Sequence, residues 1–245
     1  MTITILVTRP EPSGSVFSAE LSALMPEVRV MSSPISECQM VKATVDLEGV
    51  RFLIFTSKAG VDAFKRISDR RDIPTYAVGE ATAQAARALG ITTRASGGDA
   101  QALVAQMIAE QVAGPCLHLR GRHARGNVAG QLNQAGIETK DAVIYEQVAI
   151  PLSEEARAIL AGKDPVILPL FSPRAAALVS AEIQEIAEPA PLFVVAMSAA
   201  VKDALRAISV KNCLIAEQPS QAAMTLAVQR LNDAAKRLEG GRGDV

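Results

Sequence analysis

The sequence is poor in aromatic residues and carries no excess of charge. Only 3% of its 245 residues are aromatic and none is tryptophan, so it offers few of the side chains on which single-stranded nucleic acids stack. Its 25 basic and 26 acidic residues give a net charge of −1, whereas proteins that bind nucleic acid or anionic membranes present a positive field. We therefore expect no nucleic acid and no membrane among the partners. Any anion must be bound by a local group of residues.

Cysteine and histidine are also scarce. The cysteines Cys38, Cys116 and Cys213 are far apart and form no CxxC motif, which argues against a disulfide framework and against a zinc site. His118 lies in a predicted strand and His123 in the loop after it, and neither has an acidic or cysteine partner at the spacing of metal ligands. We expect no metal site, buried or incidental thiols, core packing for His118 and a solvated position for His123.

Long apolar runs and several widespread motifs are missing as well. No apolar run approaches the ~20 residues that span a bilayer, and the N-terminal residues lack the pattern of a signal peptide, so we expect a soluble, cytoplasmic protein. The sequence contains neither G-x-G-x-x-G nor G-x-x-x-x-G-K-[ST], and no G-x-S-x-G. These absences disfavour dinucleotide binding, nucleoside triphosphate hydrolysis and acyl-enzyme hydrolysis.

The residues that are present predict an α/β fold. With 49% hydrophobic residues, the chain can fill the cores of two domains of roughly 100 residues each. Short apolar runs alternate with segments of helical composition, which is typical of parallel sheets covered by helices on both faces. The predicted strands are Ile3–Val7, Phe52–Phe55, Thr75–Val78, Cys116–Leu119, Val166–Leu170 and Leu192–Ala196.

Two kinds of segment recur along the chain in the order A, B, A, B. Repeat A contains Leu6–Arg9 and then Leu117–Arg120, whereas repeat B contains Ile54–Ser57 and then Leu170–Ser172. If each domain needs one A and one B, the middle pair forms a continuous domain and the outer pair a discontinuous one. The repeats therefore predict one domain from residues 1–34 plus 152–245 and another from residues 40–145.

This division makes the chain cross between domains near residues 33–39 and 145–151. Pro34 and Pro151 mark both crossings as extended segments. Two adjacent extended segments can pair as a two-stranded β linker, which would act as a hinge. A cleft between the two domains is then the expected place for a ligand.

The turns that follow the strands carry the candidate binding residues. Serine or threonine at such a turn commonly caps a helix, and this role is the alternative reading for each of them. Together, however, several helix N-termini at the carboxyl ends of parallel strands favour the binding of a ligand with many carboxylates. The candidates are Arg9, Thr56, Ser57, Gly79, Thr82, Arg120, Gly121, Ser172, Arg174 and Ser198.

Arginine and tyrosine add local charge and a proton donor to these turns. Arg122 and Arg125 share the loop of Arg120 and are either part of this positive field or simply solvated. Tyr145 stands at the start of the second crossing. Its phenol could donate a proton to a ligand, or its ring could pack the hinge with the hydroxyl in water.

The chain resembles the uroporphyrinogen-III synthase family in short motifs that follow one another in order. They are Val7–Pro10, Phe55–Val61, Tyr76–Thr82, Leu119–Gly121, Ala142–Glu146, Leu170–Ala175 and Ala216–Ser220. The resemblance spans residues 3 to 231 and implies two α/β domains joined by a two-stranded linker. It also implies the reaction: hydroxymethylbilane, a linear tetrapyrrole, loses water and closes to uroporphyrinogen III with inversion of its D ring, without a cofactor or metal.

The resemblance assigns roles to individual positions. The family's tyrosine, proposed to assist departure of the hydroxyl, corresponds to Tyr145, and its pocket hydroxyls correspond to Ser57, Thr82 and Ser172. A departure concerns the helix after the last strand of the cleft. Many relatives carry a threonine there, whereas this chain has Ala199–Val201 and keeps only Ser198.

Two other readings stay open. The chain could be a hinged two-domain binding protein without chemistry, or an inactive relative of the synthase. For the synthase, we expect a monomer whose further partner is the preceding enzyme of the pathway, in transient contact.

Overall fold

The computed structural model describes residues 2–42, 44–123, 126–205 and 208–240, with side chains up to residue 236. The chain divides into two compact units, which we call the terminal unit (Met1–Glu37 with Ala149–Val245) and the central unit (Cys38–Val148). In chain order the elements are β1 (Thr4–Val7), α1 (Ser13–Leu24), β2 (Arg29–Ser32), β3 (Ser36–Met40), β4 (Phe52–Phe55), α2 (Lys58–Ile67), β5 (Thr75–Val78), α3 (Glu80–Ala88), β6 (Thr93–Ser96), α4 (Ala100–Ala109), β7 (Cys116–Gly121), α5 (Val128–Gln134), β8 (Thr139–Ala149), α6 (Glu154–Leu160), β9 (Val166–Leu170), α7 (Pro173–Gln184), β10 (Leu192–Ala196), α8 (Ala199–Asp203), β11 (Asn212–Ile215) and α9 (Gln221–Gly240).

The terminal unit contains a parallel sheet with the strand order β11-β10-β9-β1-β2. Successive side chains of a strand point to opposite faces, and β9 is apolar at every position. Val166, Leu168 and Leu170 join the buried cluster formed with α6, α7 and α8. Ile167 joins the cluster formed with α1 and α9. Helices therefore cover both faces of this sheet.

The central unit contains a sheet with the strand order β3-β8-β7-β4-β5-β6. The pairs from β8 to β6 are parallel. Leu53 and Phe55 of β4 pack in a cluster with α2 and α3, whereas Ile54 packs in a cluster with α4 and α5. This sheet is likewise covered on both faces, so the predicted α/β class with helices on both faces is confirmed.

The six predicted strands are all present, and four of them have the predicted bounds. The exceptions are β1, which begins one residue later, and β7, which extends to Gly121. The sequence did not reveal β2, β6 and β11, which are partly exposed and lack a continuous apolar run. The strands β3 and β8 overlap the extended segments predicted near residues 33–39 and 145–151, although β8 begins earlier, at Thr139. In the sheet order β3 and β8 are neighbours, and the boundaries between the two units lie within these strands.

The helices are of ordinary globular length and polarity. Across the described part of the chain, none of them combines the length and the apolar character that crossing a membrane requires.

Candidate active site

The carboxyl ends of the central strands hold most of the candidate residues. Thr56 and Ser57 follow β4 directly, Gly79 follows β5, and Arg120 and Gly121 end β7. Because these strands are parallel, the positions lie at one edge of the sheet, where open α/β sheets bind their ligands. The side chains at this edge form two groups, one on each face.

On the face covered by α2 and α3, Ser57 and Tyr145 contact each other. Ser57 is the N-cap of α2, and its Oγ accepts a hydrogen bond of 3.1 Å from the backbone N–H of Gly60. The same Oγ lies 2.7 Å from the phenol oxygen of Tyr145. The capping role considered for Ser57 is thus confirmed. It does not use up the hydroxyl, which still has a proton to share with the phenol.

A β-bulge places Tyr145 on this face. The strands β7 and β8 pair in register up to Arg120 and Val143, and the register then shifts so that Gly121 pairs with Tyr145. Without the shift, Ile144 would pair with Gly121 and the phenol would point to the opposite face. A Cβ atom at Gly121 would lie 2.7 Å from Cζ of Tyr145. The position of the ring therefore requires glycine at residue 121.

The surroundings of Tyr145 favour a neutral phenol. Burial raises the pKa of Tyr145 above its usual value, while hydrogen bonds with Ser57 and with the backbone of Gly121 act in the opposite direction. A raised pKa keeps the hydroxyl protonated at neutral pH, so it can donate. The two hydrogen bonds stabilise negative charge that develops on the oxygen when the proton moves away.

On the opposite face, four polar side chains form a chain of contacts. Thr56 Oγ1 lies 3.3 Å from Nε2 of His118, and Nδ1 of His118 lies 2.8 Å from Oδ1 of Asp141. The second carboxylate oxygen of Asp141 pairs with Nε of Arg120 at 3.0 Å. His118 pairs with Asp141 across the parallel strands β7 and β8, and its side chain is 2% exposed.

This chain of contacts was not predicted from the sequence. His118 is buried, as predicted. The prediction considered acidic partners only at the spacing of metal ligands, so it did not include Asp141. The partner comes from the neighbouring strand, 23 residues later, and not from the same loop. The alternating polar residues of β7 were a usable signal, because His118 and Arg120 share a face of the strand and a buried imidazole needs hydrogen-bond partners.

Two further candidates of the central unit stand apart from both groups. Gly79 is the N-cap of α3 with φ of 73°, a conformation that side-chain-bearing residues rarely adopt. Thr82 lies in the first turn of α3 and is 6% exposed. The first turn of α3 therefore has no side-chain cap at Gly79, whereas Thr82 is buried.

In the terminal unit, Arg9 is held in place by an aromatic ring and an amide. Its guanidinium carbon lies 3.9 Å from the ring centroid of Phe171, and Nη1 donates a hydrogen bond of 2.9 Å to Gln221. Gln221 in turn donates to Glu20. Stacked and partly buried, Arg9 presents a planar cation of fixed orientation, which suits carboxylate binding.

The remaining candidates of the terminal unit lie at helix starts. Ser172 caps α7 through a hydrogen bond of 3.1 Å from the backbone N–H of Ala175, and Arg174 is exposed in the same turn. Ser198 is the N-cap of α8, but its side chain makes no capping hydrogen bond. Ala199 and Ala200, where relatives of the chain were expected to carry a threonine, are exposed.

The loop after β7 contributes less than the sequence suggested. Arg122 is exposed and paired with Glu146, and His123 is exposed as predicted. Arg125, the other candidate cation of this loop, lies outside the described residues.

The cysteines make no disulfide. Cys116 is buried, and Cys38 and Cys213 are half-buried. Within the described ranges, no three His, Cys, Asp or Glu side chains are grouped so that they could hold a metal ion.

Comparison with known families accounts for the arrangement. The sequence model of one family, described as uroporphyrinogen-III synthase HemD, matches residues 19–225. The chain belongs to the uroporphyrinogen-III synthase family. The matched stretch contains every candidate residue of this synthase except Arg9. As a member of the family it is a cyclising lyase of tetrapyrrole biosynthesis and acts on a tetrapyrrole.

Solved structures support the fold of the synthase. A uroporphyrinogen-III synthetase from Helicobacter pylori is similar with a TM-score of 0.65 and 19% identity, covering 94% of this chain and 100% of that one. A mutant uroporphyrinogen III synthase from Thermus thermophilus gives a TM-score of 0.53 and 13% identity, covering 96% of this chain and 100% of the other. No curated protein sequence matches the chain.

Proposed function

We propose that Tyr145 assists the departure of the hydroxyl of hydroxymethylbilane, and that Ser57 and Gly121 support it. The observation that carries this proposal is the 2.7 Å contact between the phenol oxygen and Ser57 Oγ. Ser57 Oγ already accepts from Gly60, so it is free to donate its own proton to the phenol oxygen. The phenol proton is then available to the substrate.

The chemical step balances with these groups alone. The phenol proton moves to the oxygen of the substrate's hydroxymethyl group, the carbon–oxygen bond breaks, and water leaves with the bonding electrons. The adjoining pyrrole nitrogen supplies electrons to the carbon that remains. That carbon first bonds to the D-ring carbon that already carries the bridge to ring C, which gives a spiro intermediate. The older bond to the bridge carbon then breaks with the help of the ring C nitrogen, and the bridge carbon bonds to the free carbon on the other side of the D-ring nitrogen, so the D ring is inverted as the macrocycle closes. This last ring carbon loses a proton, which returns the phenolate to its neutral form.

The acetate and propionate arms of the substrate need cationic partners. We propose Arg9 and Arg174 for this role, because Arg9 is oriented by Phe171 and Arg174 is exposed at the start of α7. The accessible first turns of helices after Gly79, Ser172 and Ser198 offer N–H donors to further carboxylates. Thr82 is buried in the first turn of α3, and Arg120 is paired with Asp141. Their roles as binding residues stay predictions.

Holding the substrate is as important as removing its hydroxyl. Hydroxymethylbilane closes spontaneously to the uninverted isomer, so the synthase must position the two ends of the chain before they react. That the substrate binds between two domains stays a prediction. So do the monomeric state, the cytoplasmic location and the transient contact with the preceding enzyme.

The test is to incubate the purified protein with freshly generated hydroxymethylbilane and to resolve the porphyrinogen isomers. We expect type III product from the natural chain. For Tyr145→Phe we expect turnover to fall by about a hundredfold or more, the usual loss for a proton donor, while folding is unchanged.

Tyr76→Phe is the matched control. Tyr76 is the other tyrosine of the sequence, and its hydroxyl donates to Glu110, away from the candidate site. The Tyr76→Phe variant should convert the substrate at the rate of the natural chain. Type I product alone from the natural chain would instead support a binding protein or an inactive relative, and near-normal turnover by Tyr145→Phe would reduce Tyr145 to a packing role.

A further inference from the structure

We infer that Thr56 binds a pyrrole N–H of the substrate, and that His118 and Asp141 are positioning residues that hold its hydroxyl as a hydrogen-bond acceptor. This inference rests on the proposed function, since it concerns the same edge of the central sheet. It assigns a role to a buried histidine and a carboxylate that the chemistry at Tyr145 does not use.

The placement of the three residues follows from the sheet. In register, Ile54 of β4 pairs with His118 of β7, and His118 pairs with Asp141 of β8. Thr56 lies two residues after Ile54, so all these side chains share one face. They converge with contacts of 3.3 Å at Thr56 and 2.8 Å at Asp141, and Thr56 is half-buried at the carboxyl edge.

The carboxylate fixes the tautomer of the imidazole. An ionised carboxylate only accepts hydrogen bonds, so Nδ1 of His118 must carry a proton toward Asp141. In a neutral ring Nε2 is then bare and can only accept. Thr56 therefore donates its hydroxyl proton to Nε2 of His118. Its Oγ1 then has only lone pairs to offer and can only accept a further hydrogen bond.

Arg120 pairs with the same carboxylate. Its guanidinium pairs with the second oxygen of Asp141 and so offsets the carboxylate's charge. Arg120 therefore acts on Thr56 through Asp141 and His118.

A hydroxyl held in this way discriminates between parts of the substrate. Each pyrrole ring offers an N–H donor, whereas the acetate and propionate arms offer only acceptors. Thr56 Oγ1 can accept a hydrogen bond from a pyrrole N–H, but it repels the oxygens of the acetate and propionate arms. Thr56 thus binds the pyrrole rings of the substrate on one face of the sheet, while Tyr145 and Ser57 lie on the other face.

The tautomer can be measured without any substrate. The sequence has two histidines, His118 and His123, so nitrogen-15 NMR of the imidazole rings is simple to assign with a His123→Asn variant. We expect His118 at neutral pH to carry its proton on Nδ1, with Nε2 unprotonated, and Asp141→Asn to abolish this preference. A proton on Nε2, alone or together with Nδ1, would overturn the inference.

Kinetics then test whether His118 acts through Thr56. Removing one hydrogen bond should raise KM about tenfold in Thr56→Val, with Thr56→Ser near the natural value. His118→Leu should raise KM to a similar extent, and in the Thr56→Val background it should add nothing. His118→Gln, whose amide can donate to Asp141 and accept from Thr56, should restore KM to within about threefold.

Additive effects of Thr56→Val and His118→Leu would overturn the inference, because they would show that His118 supports the fold independently. If His118→Leu does not fold, the NMR measurement on the natural chain still decides. Failure of the proposed function gives a different pattern: Tyr145→Phe would keep its kcat, whatever the tautomer of His118 and the KM of Thr56→Val.

Discussion

The phenol oxygen of Tyr145 lies 2.7 Å from Oγ of Ser57, a residue 88 positions earlier in the chain. Ser57 follows β4 and begins α2, whereas Tyr145 lies in β8. In the sheet, β7 separates β4 from β8. The sequence around either residue does not by itself bring about this contact. Their contact depends on the packing of α2 against the central sheet and on the bulge that turns Tyr145 toward it.

This contact can be separated from the capping role of Ser57. Ser57→Ala removes both the cap and the hydrogen bond to the phenol, so we expect a loss of about 1 kcal/mol in unfolding free energy together with a clear fall in kcat. Ser153→Ala is the matched control, because Ser153 caps α6 through Ala156 and contacts no candidate residue. It should cost similar stability and leave kcat unchanged. Equal kcat in both variants would limit Ser57 to capping.

The second prediction concerns the space above Gly121. In Gly121→Ala the added Cβ would lie 2.7 Å from Cζ of Tyr145, so the ring must move. We expect a loss of about 1–3 kcal/mol in stability and a kcat close to that of Tyr145→Phe. Gly97→Ala, where a Cβ would meet nothing within 4 Å, should show neither effect. Normal kcat in Gly121→Ala would mean that the phenol need not stay where the structure places it.

The third prediction uses the ionisation of the tyrosines. The pKa of Tyr145 is raised, mainly by burial, and that of Tyr76 is raised to about 12, by burial and by Glu110. In Tyr76→Phe only Tyr145 remains, so absorbance at high pH should report its titration at a pKa above the usual tyrosine value of about 10. A group whose folded pKa is raised stabilises the fold below its unfolded pKa and loses this contribution as the pH rises through the folded pKa. A midpoint at or below 10.0, with circular dichroism still native, would contradict the burial of the phenol.

The fourth prediction concerns Arg9. Lysine keeps the charge but cannot stack on Phe171 or hold the planar geometry that fits a carboxylate. We expect Arg9→Lys to raise KM about tenfold, as for a lost charge-assisted contact, with little change in kcat. Arg29→Lys is the control. Arg29 is exposed, pairs with Glu155 and lies at the amino end of β2, so this variant should keep its KM. An unchanged KM in Arg9→Lys would remove Arg9 from the binding residues.

The sequence predicted the central strands well and the outer ones poorly. Strands such as Val166–Leu170 are buried on both faces, so their apolar runs stand out. The strand Arg29–Ser32 is exposed or half-buried throughout, and its place in the sheet comes from pairing with β1. Pairing across the sheet leaves little trace in a local sequence, and such strands are missed for that reason.

The candidate site shows the same limit. Ser57 and Tyr145 could be proposed one by one, from a turn and from a family motif. Their contact could not be proposed, because it depends on the register shift between β7 and β8. No local sequence pattern in β8 indicates this shift. The partnership of His118 with Asp141 was missed for a related reason, since it depends on which residue of the neighbouring strand lies opposite.

The order of strands in the terminal sheet also affects how the protein is made. β1 leaves the ribosome before the other strands of its sheet, yet it pairs on one side with β9, whose residues Val166–Leu170 are synthesised much later. At about 5–20 residues per second, β1 waits roughly 8–30 s for that partner. The central unit, Cys38–Val148, is complete in the meantime. Nascent chains should therefore acquire the pair of Ser57 and Tyr145 before the terminal sheet that carries Arg9 can close.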